Sequence, residues 1–483
     1  MKIGDFSKVD VAVVGTGQAG WSALRQVRKR TDSYVLITPE PLAACRDACN
    51  GEVHKALINA AHACHQAQGR AALGPGGADD AGALGRRVLA VMRGLRDDAA
   101  DAMLTALSEL PGNQLIVGTA RLIGPNHIMV GERLVEARSI VVAGGRSPVI
   151  PREWHSIADG VLTSHSLLDL KQLPDSVAVI GLGREGLQLA CALNRLSVRL
   201  WGFDKGSSVA RVADADIAAE ALTVFDRAFP VVLGQDVTVA RCGQGFRVSA
   251  DAQSVVVEKL LLAVGHSADC ADLGWHRIGA RIDSRGIPLH DPKTLRVPGS
   301  SIFLAGDARG VRVDGQQAVT EGQVAGYNAT HRNLRGVPDA TPMSIVLSDP
   351  DIARVGVPRD AIDPAGLVEA GVRFTAGGEL LAAHARHGLL KLYADKHSRA
   401  LLGGEMVGPG CAHIAHLLAV FVHHGLTVEQ SLQTPFHYLA VEQSLHNGLR
   451  ALRRRLGRRR TTAAITRIEN HRVLKKRGPA AGA

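Results

Sequence analysis

Residues 11–20 read VAVVGTGQAG. A short apolar run leads straight into Gly15, Gly17 and Gly20, and WSALRQVRKR (21–30) follows with helical patterning. That is the order of a strand, a tight turn and a helix. The first glycine makes the turn, and the second lets backbone N–H groups approach a pyrophosphate. The third lets helix and sheet pack closely, with the phosphates on the helix N-terminus. Outward from this stretch the design recurs: VAVIGLGREG (177–186) supplies Gly181, Gly183 and Gly186, followed by LQLACALNRL. One such glycine pattern is weak evidence. Two copies, each between a strand-like run and a helix-like one, predict two βαβ dinucleotide sites in an α/β fold.

A further strand-like run, SIFLAGDARG (301–310), ends on Asp307, an acid of the kind that holds a flavin. With two dinucleotide sites, it predicts electron transfer between a nicotinamide (NAD) and a flavin (FAD). The acids expected on the adenosine riboses separate the sites. In the second unit VRLWGF runs into Asp204, which can accept from both ribose hydroxyls and repel a 2′-phosphate, favouring NAD although Lys205 stands beside it. In the first unit YVLI ends at Thr38. A neutral hydroxyl there makes a poorer ribose acceptor, and Glu40 is the nearby alternative.

At 483 residues the chain has length for several domains, and 53 glycines with 4% aromatics fit a glycine-rich α/β protein. The seven cysteines (Cys45, Cys49, Cys64, Cys191, Cys242, Cys270 and Cys411) are scattered and odd in number. No apolar run reaches membrane-spanning length and no signal peptide precedes the first strand, so a cytoplasmic protein is expected. The formal net charge of +10 is misleading: residues 450–483 hold twelve Lys or Arg against one acid, Glu469, leaving the body near neutral. This basic tail reads as solvated chain, with unspecific contact to nucleic acid, anionic lipid or an acidic partner as the alternative. It lacks aromatics for base stacking.

Along the chain, the first βαβ unit is followed by GRAALGPGGADDAG as a flexible insert and by VLAVMRGLRDDAADAMLTALSEL as a helix. SIVVAGG then returns to the first site at Gly145, and the second unit closes on KLLLAVGHSAD, which holds Gly265. After residue 341 the pattern changes to IVLSDPDIARVG, LLKLYADKHSRALLGGEMVG and a helical HIAHLLAVFVHHGL.

The chain resembles the class I pyridine nucleotide-disulfide oxidoreductases, closest to the dihydrolipoyl dehydrogenases, along most of residues 8–452. Besides the fingerprints, the resemblance rests on AGGRSP and LAVGHSAD as two ATG-type turns and on AGDARG with AVTEGQVAGYNA. SDPDIARVG and GGEMVGPG extend it into the C-terminal region. It implies two Rossmann-like domains, an FAD domain (1–148 and 271–338) interrupted by an NAD domain (149–270). An α+β dimerisation domain (339–452) and the basic tail (453–483) would follow. FAD, NAD, a homodimer and a dithiol or lipoyl-type substrate are implied with it.

The resemblance also implies a redox disulfide spaced C-x4-C and a histidine–glutamate pair for thiol protons. In PLAACRDACNGEVHKALINAA the cysteines are Cys45 and Cys49, one residue closer than the family pattern. An ungapped match through Lys55, the family's flavin-side lysine, puts Arg46 and Gly51 at the redox positions. A shifted redox pair, two inert residues, or a metal site with His54 are the readings open here. TPFHYLAVEQSL keeps the dyad's separation in His437 and Glu442, while the ungapped match gives Tyr438 and Gln443. The lysine's usual glutamate partner corresponds to Gln188. Against the dithiol enzyme stand a flavoenzyme that passes electrons from NADH to a quinone, another nucleotide or oxygen, and a non-catalytic nucleotide-binding scaffold.

Overall fold

The computed structural model describes residues 6–71, 81–251, 253–374, 387–438 and 440–457. Its helices are α1 (Gln18–Val27), α2 (Pro41–Ala71), α3 (Ala81–Ser108), α4 (Ser164–Leu167), α5 (Arg184–Arg195) and α6 (Ala215–Asp226). Continuing along the chain are α7 (Gly315–Thr330), α8 (Cys411–His423), α9 (Val428–Ser431) and α10 (Gln443–Leu456). Helix α2 outruns the expected unit by continuing to Ala71, and α3 begins at Ala81. Of the segment read as a flexible insert (69–82), residues 69–71 finish α2 and 81–82 begin α3, and residues 72–80 lie outside the described residues. Residues 458–483, most of the basic tail, lie outside the described residues, and Arg453–Arg455 finish α10.

Phe6–Val14 is the centre of a parallel arrangement, with Tyr34–Thr38 on one side and Arg133–Val142 on the other. Leu115–Val117 extends the first edge. The far edge of Arg133–Val142 is shared: its first residues pair antiparallel with His127–Val130, and Ile140–Val142 pair parallel with Ile302–Leu304. The chain thus leaves this sheet near Gly145 and returns 150-odd residues later to complete it, as insertion of one nucleotide unit in another requires. Strands Val11–Val13 and Val35–Ile37 are almost wholly buried, which explains their near-continuous apolar runs.

The inserted unit repeats the plan, with the order Val231–Leu233, Arg199–Asp204, Ser176–Ile180, Lys259–Leu262, Val161–Thr163. A three-stranded antiparallel sheet over Thr238–Val257 covers one face. The crossing between units is made by a short antiparallel pair, Arg146–Pro148 with His266–Ala268. It sets Gly145 against Asp269 at one end of the pair and Gly265 against Val149 at the other. The C-terminal part is a five-stranded antiparallel sheet, Met343–Val346, Asp351–Gly356, Leu401–Gly408, Leu389–Asp395, Leu367–Arg373. Leu390, Leu392, Ile414, Leu418, Leu445 and Leu449 bury its contact with α8 and α10.

A charged cluster clamps this sheet to the inserted unit. Lys391, almost wholly buried, reaches Asp214 and Asp216, each at 2.7 Å. Buried Glu405 accepts the Ala213 and Asp214 N–H groups at 3.0 and 3.1 Å. Among the described residues no helix is long and apolar enough to cross a membrane.

Candidate active site

Both glycine turns fold as nucleotide cradles, for a reason visible at each position. Gly15 has φ +109°, and a Cβ on it would lie 2.3 Å from Ala143 O; a Cβ on Gly20 would lie 2.0 Å from Gly15 O. Those two glycines are required by the protein itself. Gly17 is different: a Cβ there meets nothing within 4 Å. The second turn repeats this, with Gly181 and Gly186 crowded by Ala263 O and Gly181 O and with Gly183 open. Gly17 and Gly183 are the N-caps of α1 and α5, and neither helix end has a side-chain cap. Free N–H groups at an open turn are what a pyrophosphate needs.

The first turn opens into a cavity of about 840 Å³ lined by Gly15, Gly17, Glu40, Gly51, Lys55, Gly145 and Asp307, among others. The second opens into one of about 700 Å³ lined by Gly181, Gly183, Asp204 and Gly265. Arg146, Arg184, Glu185, His266, Asp307 and Arg312 line both, so the cavities share a wall. On it Glu185 lies 3.5 Å from His266 and 3.7 Å from Arg312, while Arg146 Nε meets Asp307 at 3.0 Å. Burial pushes the His266 imidazole down to about 4, against the pull of Glu185. Burial, then repulsion from Arg184 and Arg146, lowers Arg312 to about 10. Asp204 accepts the N–H of Leu182, inside the second turn, at 2.6 Å, and that of Gly206 at 2.7 Å.

Five expected site residues, Thr38, Cys45, Cys49, His437 and Glu442, line neither cavity. Thr38 is fully buried, its hydroxyl 3.4 Å from that of Thr16, and does not line the cavity. Glu40 does line it, although its carboxylate is engaged with the N–H groups of Leu42 and Ala43 at the start of α2. Cys45 and Cys49 are both free and buried, and neither lines a cavity. The reason is helical phase. At about 100° per residue, Cys45, Cys49 and Val53 form one apolar stripe, and Asp47, Gly51 and Lys55 lie on the opposite side, which faces the cavity. Cys45 packs in the core of α1 and α3, and Cys49 Sγ sits 3.7 Å from Met103 Sδ. Burial, then Cys49 and Glu40, pushes the Cys45 thiol up to about 11, and Cys49 is raised by burial as well. A thiolate is disfavoured at both. Of the two positions the ungapped match names, Gly51 lies on the wall, whereas Arg46 does not and pairs with Asp97 at 3.0 Å. Among the described residues the one cysteine on it is Cys270, whose thiol donates to Ala308 O at 3.3 Å and is pushed up to about 12.

His437 is exposed, and neither it nor Glu442 lines a cavity of this protomer. Among the described residues the two make no ion pair or hydrogen bond with one another; Glu442 is the N-cap of α10 but its side chain makes no capping bond. Lys55 is on the cavity wall and, among the described residues, has no ion-pair partner. Gln188, with its amide turned to suit its neighbours, accepts from Leu347 N at 2.8 Å and donates to Arg184 O at 3.3 Å. It ties α5 to the C-terminal sheet and leaves the lysine alone. No group of three or more His, Cys, Asp or Glu side chains with metal-binding geometry occurs among the described residues, so Cys45, Cys49 and His54 are not gathered as a metal site.

Sequence reasoning missed the polar wall opposite the cysteines. Asp47 Oδ1 accepts from Asn50 Nδ2 at 3.2 Å and lies 3.3 Å from His165 Nδ1. His54 Nε2 meets Ser164 O at 2.8 Å, and its imidazole is lowered, chiefly by burial. Asp47 and His165 are 118 residues apart, and no local pattern connects them.

A family model described as pyridine nucleotide-disulphide oxidoreductase matches residues 9–329, and that family's dimerisation-domain model matches residues 342–447. A protein of Mycobacterium tuberculosis named NAD(P)H dehydrogenase (quinone) is 29% identical over 379 residues, covering 74% of this chain and 75% of its own. Dihydrolipoyl dehydrogenase 2 of Haloarcula marismortui is 25% identical over 486 residues, covering 94% and 98%. Among solved structures, LpdA from Mycobacterium tuberculosis superposes with TM-score 0.76 at 23% identity, covering 92% of this chain and all of that one. The HOCl-induced flavoprotein disulfide reductase RclA from Escherichia coli gives 0.76 at 18% identity, with the same coverage. The paired cradles, the shared wall and the matched models carry one conclusion: the chain belongs to the pyridine nucleotide-disulphide oxidoreductase family, an FAD-dependent oxidoreductase of dihydrolipoyl dehydrogenase-like type that exchanges electrons with a pyridine nucleotide.

Proposed function

We propose that the chain oxidises NADH and delivers the electrons, by way of FAD, to an acceptor that meets the α2 wall of the larger cavity without a cysteine pair between. The observation that carries this reading is the phase of α2, which turns Asp47, Gly51 and Lys55 to the cavity and buries Cys45 and Cys49 behind them. FAD when bound supplies the two-electron relay between the nucleotide and the acceptor. The chain's residues hold and orient. Gly15, Gly17, Gly20, Gly145 and Asp307, with Lys55 on the wall, would receive FAD. Gly181, Gly183, Gly186, Asp204 and Gly265 would receive NAD, and Asp204 would take the adenosine ribose.

A quinone-type acceptor accords with a cavity wall that carries no cysteine pair and with the Mycobacterium tuberculosis relative named NAD(P)H dehydrogenase (quinone). A dithiol or lipoyl-type substrate is the second reading. It is favoured by the relative named dihydrolipoyl dehydrogenase, matched along 94% of this chain. It would exchange electrons at the same wall directly. Domain limits at 148, 270 and 338, a two-fold homodimer built on residues 339–452 and a cytoplasmic location complete the proposal. In such a dimer His437 and Glu442 would serve at the partner's cavity.

Cys45→Ser and Cys49→Ser, singly and together, should leave NADH–quinone turnover within about twofold, with some loss of thermal stability because both sites are buried. A collapse of turnover in a protein that still binds FAD would restore the cysteine route.

A further inference from the structure

The larger cavity holds a polar constellation that neither the fingerprints nor the family's C-terminal dyad accounts for. His165 sits in the first turn of α4, which is pinned from both sides. Thr163 and Ser166 form a reciprocal cap at its start, and His54 of α2 holds the Ser164 carbonyl at 2.8 Å. Its Nδ1 faces Asp47 Oδ1 at 3.3 Å. Asp47 is in turn held by the amide of Asn50 at 3.2 Å, and Asn50 is 4% exposed. All three residues line the cavity.

A ring nitrogen committed to a carboxylate that is itself held by a buried amide gives an imidazole with a fixed orientation and its other nitrogen, Nε2, free. The other two histidines on this wall are unsuited to donate a proton near neutrality. Burial lowers the pKa of His54 and takes that of His266 down to about 4, and each already has a partner. His437 stands apart from both cavities on this protomer.

We propose that His165, positioned by Asp47 and Asn50, is the proton donor to the electron acceptor. The inference rests on the reading that NADH is oxidised at the expense of a quinone-type acceptor. Overall, NADH, one proton and the acceptor give NAD⁺ and the acceptor carrying two added electrons and two protons. NADH accounts for both electrons and one of the protons. The second comes from His165 Nε2 to the acceptor oxygen: the N–H bond breaks, an O–H bond forms, and the neutral imidazole is reprotonated from solvent. The charged and titratable groups facing His165 are Asp47 and His54 from α2, His266 and Asp269 from the crossing strand and the turn after it, and Glu185 and Arg312 on the shared wall. Asp47 is the nearest of them.

The test uses the full-length, FAD-loaded protein with two acceptors: a water-soluble quinone, which takes up protons, and ferricyanide, which takes up none. His165→Gln should lower the ratio of quinone to ferricyanide turnover by about a hundredfold, within the usual range for a general acid. It should also abolish the fall of quinone turnover at alkaline pH. Asp47→Asn, which removes the carboxylate facing the ring, should lower the same ratio as well. A ratio within twofold of wild type in His165→Gln would overturn the proposal.

Independently of turnover, the His165 ring nitrogens are observed by NMR in protein selectively labelled at histidine. The Nδ1 resonance, which faces Asp47 Oδ1 at 3.3 Å, should move in Asp47→Asn, and an unmoved resonance would break the link between the two residues. Wild-type protein that oxidises NADH with neither acceptor would instead sink the functional reading, and the Nδ1 resonance would then judge the pair by itself.

Discussion

A single Cβ separates the glycines that serve the chain from those that serve a ligand. Gly20→Val forces side-chain atoms against the Gly15 carbonyl and is expected to cost about 3 kcal/mol or prevent folding. Gly17→Val has open space before it. It should fold with an unchanged melting temperature and lose FAD affinity, which flavin retention on a desalting column would reveal. Asp204→Ser removes an acceptor from Leu182 and Gly206 and leaves Lys205 and Arg211 on the same wall. It should raise the KM for NADH about tenfold and that for NADPH less, measured by steady-state kinetics with each nucleotide. These glycines and Asp204 were legible because each follows a strand at a spacing set by backbone geometry. Thr38 was misread for a related reason. Counting places the end of the strand but not the side of the sheet its last residue faces, and Thr38 turns inward to Thr16. Asp47, Asn50 and His165 left no trace in the sequence, since their meeting depends on how α4 docks on α2.

At the scale of elements, α2 decides the chemistry of the wall by its phase. Spacing alone carried that information: once Lys55 is assigned to the cavity, Gly51 and Asp47 must follow it, and Cys49 and Cys45 must turn away. The resemblance pulled the reading toward the cysteines, whereas the periodicity pointed elsewhere. The crossing strand brings a pH dependence with it. His266 is protonated less readily in the folded chain, at about 4 against 6.5, so between those values the unfolded chain binds more protons and acid destabilises the fold. His266→Gln should flatten the decline of melting temperature over that range. Asp351, raised by burial to about 6 from 3.8, acts with the opposite sign. Its contribution is full below 3.8 and is lost as pH rises through about 6. Asp351→Asn should remove that opposing slope, and melting curves of the two variants against pH separate the effects.

Over the whole molecule, insertion of one nucleotide unit into another was readable from the order of the motifs. The device that locks the inserted unit to the C-terminal sheet was not. Lys391→Met strands Asp214 in a nearly dry interior and should lower stability by about 3 kcal/mol, seen as an earlier denaturation midpoint. The wall common to the two cavities has a consequence of another kind. Six side chains cannot adjust to an occupant on one side without being altered for the other. The loading of the two nucleotides is therefore a linked equilibrium: whatever factor NAD⁺ exerts on the dissociation constant of FAD, FAD must exert on that of NAD⁺. Calorimetric titrations in either order close that thermodynamic square, and the enzyme's resting composition in a cell would follow the ratio of its nucleotides as well as their amounts.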